Sequence, residues 1–276
     1  MQQVYIQTYS VRDDLEKDFI GGIKKLAEIG YSGLEFAGGY GGLSTKEMKQ
    51  LLSDLNLDVI SSHVGFDDAE KDIDYIAEIG GRYIICPMAR GMATYDDAMK
   101  VASELNRIGE ACKKAGLKYG YHNHTQEFAV VNGKYLLEHL MENTDPANVA
   151  FQLDVGWCCT AGVDAVEFIN KHAGRFELIH AKEAGKVTGV QPPMDFSNVK
   201  FDDKGRPIFS EEMKAQMLET KKMNVPSGTG IVDWKAVKAA ADAQGAKAYI
   251  VEREWDYKGD DIFGCVKEDW EYLRTV

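Results

Sequence analysis

Four short apolar runs in this chain each end in an imidazole or a carboxylate. They are Lys118-Tyr119-Gly120-Tyr121-His122-Asn123-His124, Val149-Ala150-Phe151-Gln152-Leu153-Asp154, Phe176-Glu177-Leu178-Ile179-His180 and Ala248-Tyr249-Ile250-Val251-Glu252. Each reads as a β-strand ending on an ionisable group. Such groups are costly to bury singly, so several that converge point to a metal or an acid/base site. Glu35, His63, Lys182 and Glu254 also fall at strand ends. Side chains two apart on a strand face the same way. That would pair His122 with His124, His180 with Lys182, and Glu252 with Glu254. A lone strand-end histidine is more often structural than a ligand. Four of the six histidines (His63, His122, His124 and His180) sit there with Asp154 and Glu252, which reverses that balance. Two imidazoles with two carboxylates suit one divalent ion such as Mn²⁺, Mg²⁺, Co²⁺, Fe²⁺ or Zn²⁺.

The elements that must carry these groups alternate strand and helix along the chain. Strands are expected over 4–9, 33–36, 58–64, 83–86, 118–124, 149–155, 176–182 and 247–252, with amphipathic helices between them. The strands are near-continuously apolar, as in a parallel sheet covered on both faces. Eight strand–helix units at this length fit a single-domain (β/α)₈ TIM barrel over residues 1–276. In that fold every strand C-terminus meets at one rim, which is where active sites lie. A doubly wound open sheet is the runner-up. It needs a glycine-rich turn after the first strand, and Ser10-Val11-Arg12-Asp13-Asp14 has none. Gly38-Gly39-Tyr40-Gly41-Gly42 reads equally as a flexible active-site loop or a plain one. Residues 183–229 break the rhythm, with Pro192-Pro193 and Asp202-Asp203-Lys204-Gly205 inside them. So long a connection marks an inserted loop or lid, with a helix expected over 210–222. His139 and His172 fall in predicted helices and read as surface residues.

Composition narrows the classes. Of the 276 residues, 44 are acidic and 32 basic, for a net charge of −12. That repels phosphate backbones, so no nucleic-acid partner is expected. No apolar run is long enough for a membrane span, and no secretory leader opens the chain. The cytoplasm is the default compartment, although a trimmed exported precursor would look the same. The five cysteines show no framework or CxxC spacing, which argues against a disulfide scaffold or a structural zinc site. Cys158-Cys159 reads as packed rather than redox-active.

Seven motifs in order resemble the sugar phosphate isomerase/epimerase family, the xylose isomerase-like barrels that include inosose dehydratases, ketose epimerases and endonuclease IV. They run from Gln7-Thr8-Tyr9-Ser10-Val11-Arg12-Asp13 and Gly30-Tyr31-Ser32-Gly33-Leu34-Glu35 through Tyr121-His122-Asn123-His124 with Glu127-Phe128. They continue with Leu153-Asp154-Val155-Gly156-Trp157, Ile179-His180-Ala181-Lys182 and Gly228-Thr229-Gly230-Ile231-Val232-Asp233-Trp234. The resemblance implies one divalent metal ion held by Asp154, His180 and Glu252. The fourth ligand, usually a glutamate on strand five, falls on His122. Ketose epimerases use a glutamate pair on strands five and eight, so this departure counts against simple 3-epimerisation. Glu127 could swing in as ligand or base, or hydrogen-bond its own loop.

The implied chemistry begins with a bound ion polarising a sugar carbonyl and its neighbouring hydroxyl. The candidate catalytic residues are Glu252, Lys182, His124 and Glu127. The candidate substrate-binding residues are Glu35, His63 and Trp157, with Phe128 a further stacking candidate. Arg12 and Arg90 lie in rim loops, more simply as surface ion pairs than as anion binders. The expected function is a metal-dependent isomerase or epimerase acting on a small carbohydrate. Dehydratase or lyase chemistry at the same site is the alternative. An endonuclease IV-like phosphodiesterase and a non-catalytic sugar-binding barrel are the remaining readings. Trp157 stands where endonuclease IV has a histidine ligand. Homo-oligomerisation is left open.

Overall fold

In a computed structural model, which describes residues 3–192, 199–201 and 207–276, eight parallel strands close into a barrel. They are β1 (Val4–Gln7), β2 (Gly33–Phe36), β3 (Asp58–His63), β4 (Tyr83–Cys86), β5 (Lys118–His122), β6 (Val149–Asp154), β7 (Phe176–Ala181) and β8 (Ala248–Val251). Each strand pairs with its chain neighbours, and β1 pairs with β8 to close the ring. This is the barrel the alternation of runs predicts.

The apolar pattern divides into two cores. Tyr5, Ile60, Tyr83, Ile85, Ala150, Leu178, Ala248 and Ile250 fill the barrel interior. A larger cluster, including Leu34, Phe36, Ile84, Phe151 and Ile179, lies between the strands and the helices. Polar groups tie the floor of the barrel. Tyr5 Oη donates to Asp58 Oδ2 at 2.8 Å, and Arg82 pairs with the same carboxylate. Lys118 Nζ lies 2.5 Å from Glu177 Oε1, whose other oxygen accepts from Tyr83 Oη at 2.9 Å.

Several strands end earlier than their sequence suggests. β1 stops at Gln7, and residues Thr8–Val11 form a 3₁₀ turn. β5 stops at His122, so His124 lies beyond the strand, although its ring still meets that of His122 at 5.1 Å. Lys182, Glu252 and Glu254 likewise follow the last ladder residues of their strands. Asp154 ends β6 and caps the short helix Val155–Thr160, its Oδ1 accepting from Trp157 N at 2.8 Å. His139 is buried rather than exposed, with Nε2 2.9 Å from the Val131 carbonyl oxygen. His172 pairs with Glu138 at 3.1 Å.

The long connection after β7 contains the helix Glu211–Lys221, capped by Ser210. Pro193 and Asp202-Asp203-Lys204-Gly205 lie outside the described residues. Its two ends are fixed to the barrel. Glu183 accepts from the backbone N–H groups of Gly228 at 2.8 Å and Val232 at 3.1 Å, and from Trp234 Nε1 at 2.8 Å. A Cβ on Gly230 would lie 2.1 Å from the Ala184 carbonyl oxygen, so this position requires glycine. Among the described residues, no helix is long and apolar enough to cross a membrane.

Candidate metal centre

His122 ends β5, Asp154 ends β6, His180 sits one residue from the end of β7, and Glu252 follows β8. Ring closure brings the four together: one ligand atom from each lies within 4.8 Å of the others, and all four residues are buried. His180 Nδ1 lies 3.3 Å from Glu252 Oε2 and 3.7 Å from Asp154 Oδ2. His122 Nε2 lies 3.7 Å from the same Asp154 oxygen.

The atoms facing inward are short of partners. His180 Nδ1 and Asp154 Oδ2 are buried with no hydrogen bond. Orphaned buried polar atoms are rare in native proteins, and here they point into one space. Two imidazole nitrogens and two carboxylate oxygens form a donor set that suits a borderline or hard divalent cation. These residues therefore fit the ion that the donor set implies.

A layer of side chains beneath the four sets their orientation. Glu35 is fully buried at the end of β2. Its Oε1 lies 2.6 Å from His180 Nε2 and accepts from Gln7 Nε2 at 2.8 Å. Its Oε2 accepts from Gln152 Nε2 at 2.7 Å and from Ser61 Oγ. A carboxylate can only accept here, so the Gln152 amide must donate to it. Gln152 Oε1 then accepts from His122 Nδ1 at 2.9 Å and from His63 Nε2 at 2.8 Å. Both ligand imidazoles consequently carry a proton on the outer nitrogen and turn the inner one toward the cluster, the usual arrangement behind a metal-bound histidine. His63, His122 and His180 also approach one another closely. The His63 Nε2, His122 Nδ1 and His180 Nε2 atoms are engaged by Gln152 and Glu35, so this trio belongs to the supporting layer.

Lys182 places a positive charge among the acids. Lys182 Nζ lies 2.7 Å from Glu252 Oε2, 3.5 Å from Asp154 Oδ2 and 3.5 Å from Glu254 Oε1. Burial alone would lower the lysine pKa, but Glu252, Glu254 and Asp154 together drive it up. Burial would raise the Glu252 pKa, but Lys182 and His180 hold it well below the ordinary carboxylate range. His180 is opposed by burial and lifted well above the usual value by Glu35, Asp154 and Glu252. His122 goes the other way: burial and the neighbouring His180, His63 and His124 push its pKa well down.

The remaining sequence candidates separate. His124 is half-buried, with its ring 5.1 Å from His122 and its Nδ1 buried without a partner. Glu127 stands apart from the four ligand candidates. Its carboxylate accepts from Tyr121 Oη at 2.8 Å, Gln126 Nε2 at 3.1 Å and His124 N at 2.7 Å, so it fastens the loop after β5. Glu35 has no exposed surface and both its oxygens are taken. It is placed to orient His180 rather than to meet a substrate hydroxyl. His63 stacks on the His180 ring at 5.3 Å and its side chain is a tenth exposed. Trp157 is nearly buried, with Lys182 Nζ 4.6 Å from its ring centre and the His124 ring 5.8 Å away. Phe128 packs against Tyr135 and Phe168 in the core. Arg12 covers the Tyr9 ring and pairs with Asp13. All five cysteines are free. Burial pushes the Cys159 thiol up to about 11 and that of Cys158 well above its usual range, which leaves both as poor nucleophiles.

Gln152, Gln7 and Ser61 are the functional-layer residues that strand-end reasoning missed. The one available signal was position: Gln152 lies two residues before Asp154 on the same strand face.

Comparison with known proteins places this geometry. Residues 23–275 match the family model described as xylose isomerase-like TIM barrel. The inosose dehydratase of Geobacillus thermodenitrificans strain NG80-2 is 28% identical over 173 residues, covering 62% of this chain and 52% of that protein. The inosose dehydratase of Geobacillus kaustophilus strain HTA426 is 26% identical over 192 residues, covering 58% of this chain and 60% of that one. The chain thus spans between about half and three fifths of the length of these curated relatives. The crystal structure of a sugar phosphate isomerase/epimerase from Parabacteroides distasonis ATCC 8503 superposes with a TM-score of 0.78 at 28% identity, over 100% of this chain and 94% of that one. The apo form of the Escherichia coli 3-keto-D-glucoside 4-epimerase shares the fold, with a TM-score of 0.66 at 14% identity over the whole of both chains.

Proposed function

We propose, for a chain that belongs to the xylose isomerase-like TIM-barrel family, that it is a divalent-metal-dependent enzyme removing a proton next to the carbonyl of a small keto-sugar or cyclic polyhydroxy ketone. The observation that carries this reading is the convergence of His122, Asp154, His180 and Glu252, with inward-facing atoms that lack partners. A divalent ion held by those four residues supplies Lewis-acid polarisation of a carbonyl and an adjacent hydroxyl.

The chain's own residues divide the remaining work. Lys182 is held protonated by three carboxylates, so it offers fixed positive charge to an oxygen that becomes anionic. It is not a base. Glu252 is a weak base because Lys182 and His180 stabilise its ionised form. His124 has an unused Nδ1 next to the cluster, and a positioned imidazole is the commonest side chain for proton transfer. His124 is therefore the favoured proton-transfer group. Glu127 serves it indirectly, by holding its backbone N–H at 2.7 Å.

Epimerisation needs a proton acceptor on each face of the carbon. Among the described residues the strand-five and strand-eight glutamate pair of ketose epimerases is not formed, because His122 occupies the β5 ligand position and Glu127 is turned to its own loop. That favours proton removal followed by loss of a β-hydroxyl, in the manner of a dehydratase. The similarity to proteins named inosose dehydratase supports the same outcome. Isomerisation or epimerisation is the second reading, supported by the likeness to the Parabacteroides protein over the full chain.

The test is turnover of the Mn²⁺-loaded protein in D₂O with a panel of inososes and keto-sugars, followed by NMR. Deuterium at the carbon next to the carbonyl, or an unsaturated ketone product, is expected. Stoichiometric Mn²⁺ with neither result across the panel would overturn the reading.

A further inference from the structure

After Val251 the eighth strand leaves the sheet, and the next residues no longer follow a regular ladder. Their backbone N–H groups are caught one at a time. Arg253 N donates to Ser10 Oγ at 3.0 Å. Glu254 N and Trp255 N both donate to a single acceptor, Asn224 Oδ1, at 2.7 and 3.3 Å. Asn224 comes from the far stem of the long connection after β7, and its side chain is buried. Its Nδ2 donates to the Glu183 carbonyl oxygen at 3.2 Å. The backbone supports the same contact through an antiparallel bridge between Ala184 and Asn224 and a 2.8 Å bond from Gly185 N to the Met223 oxygen.

One amide thus joins three segments: the exit of β7, directly after Lys182; the exit of β8, which carries Glu252 and Glu254; and the stem of the connection. Lys182 bonds electrostatically to both of those glutamates, at 2.7 and 3.5 Å. The distance between the two exits therefore sets the carboxylate geometry, and Asn224 is the side chain that spans them.

We infer that Asn224 is a positioning residue that couples the long connection to the metal centre, an inference that rests on reading the four-residue cluster as a metal site. It touches none of the candidate ligand side chains. It fixes the backbone from which Glu252 and Glu254 project, with its carbonyl accepting two consecutive N–H groups much as a helix cap does. The connection is accordingly part of the ion-binding architecture.

The test uses the full chain with Mn²⁺ alone as probe, and compares Asn224→Ala with Asn224→Asp. The aspartate keeps the acceptor for Glu254 N and Trp255 N. Two readouts are needed: amide hydrogen exchange over residues 252–257, and Mn²⁺ affinity followed by electron paramagnetic resonance. Asn224→Ala is expected to speed exchange at Glu254 and Trp255 and to weaken Mn²⁺ binding about tenfold, the scale of other outer contacts to metal sites. Asn224→Asp should restore the slow exchange at Glu254 and Trp255 but not the full Mn²⁺ affinity, because a carboxylate cannot donate to the Glu183 carbonyl oxygen. Should the alanine variant fail to fold, Asn224→Ser, whose shorter hydroxyl cannot span the two exits, takes its place with the same expectation. Unchanged exchange or unchanged affinity in a folded Asn224→Ala or Asn224→Ser protein would overturn the inference, as would an aspartate variant that exchanges at Glu254 and Trp255 as fast as alanine. If the wild-type chain binds no Mn²⁺, the metal reading fails. The exchange arm then decides alone whether Asn224 holds the β8 exit.

Discussion

His180 Nε2 lies 2.6 Å from Glu35 Oε1, across 145 residues of sequence. Both groups are fully buried, and the contact turns the other ring nitrogen of His180 toward Asp154 and Glu252. A metal-binding imidazole with a carboxylate behind it is held in one tautomer and made more basic. Glu35→Gln keeps the shape and removes the charge. Metal affinity is expected to fall by about 10- to 100-fold, measured by equilibrium titration, while the far-ultraviolet circular dichroism stays native. Wild-type affinity in that variant would show that Glu35 does not tune the site.

The ion-free protein holds a proton on His180, because Glu35, Asp154 and Glu252 raise its pKa well above the usual value. A metal ion needs that nitrogen unprotonated. Binding must therefore expel a proton, and affinity should rise about tenfold per pH unit while His180 remains the protonated competitor. The direction follows from the sign of the shift: a raised pKa favours the proton over the ion, more so as pH falls. His122 adds no second proton, since its pKa is depressed. Calorimetry in buffers of different ionisation enthalpy should count about one proton released per ion. A count of zero at neutral pH would contradict the assignment of His180 as a ligand.

Glu127 and His180 should part company when each is truncated. His180→Ala is expected to lose metal retention, read by elemental analysis after dialysis. Glu127→Ala should retain metal at the wild-type level. It leaves Tyr121 Oη and His124 N without their acceptor, so a stability loss of about 1–3 kcal/mol is expected from denaturant unfolding. Loss of metal from the Glu127 variant would return it to the ligand set.

Gly156 tests the placement of Lys182. A Cβ there would lie 2.7 Å from the Lys182 carbonyl oxygen and 2.9 Å from its Cγ. Gly156→Ala should cost about 1–3 kcal/mol through local overpacking. It should reduce turnover more than it reduces metal affinity, because Lys182 is not a ligand. Equal losses in both would mean that the lysine has no separate part in the chemistry.

The barrel was legible because eight apolar runs alternate with helical ones, and their ends carry the groups that closure brings together. Asp154, His180 and Glu252 could be chosen from their strand-end positions and the family motif. What was not legible depends on contacts between strands. Gln152 is an uncharged amide inside an apolar run, and only the neighbouring Glu35, His63 and His122 give it a role. Glu35 was visible as a strand-end acid, but its burial under His180 comes from the pairing of β1, β2 and β3 around it. The sequence pattern carries the strand on to His124, but the chain turns at Asn123, which is stabilised from outside: Asn123 Oδ1 accepts from Asp154 N at 3.0 Å on the next strand. Asn224 lies in a polar stretch with no periodicity to single it out.

Lys182 gives the pocket a resident counter-charge that is bonded to the chain. It offsets part of the charge of the acids around it, and the barrel core holds their strands in place, unlike the ligands of small zinc domains that collapse when stripped. Chelation should therefore yield an intact, reloadable protein. The identity of the bound ion would then depend on which cation is abundant when the vacant pocket is filled, and not on which one was present while the polypeptide folded.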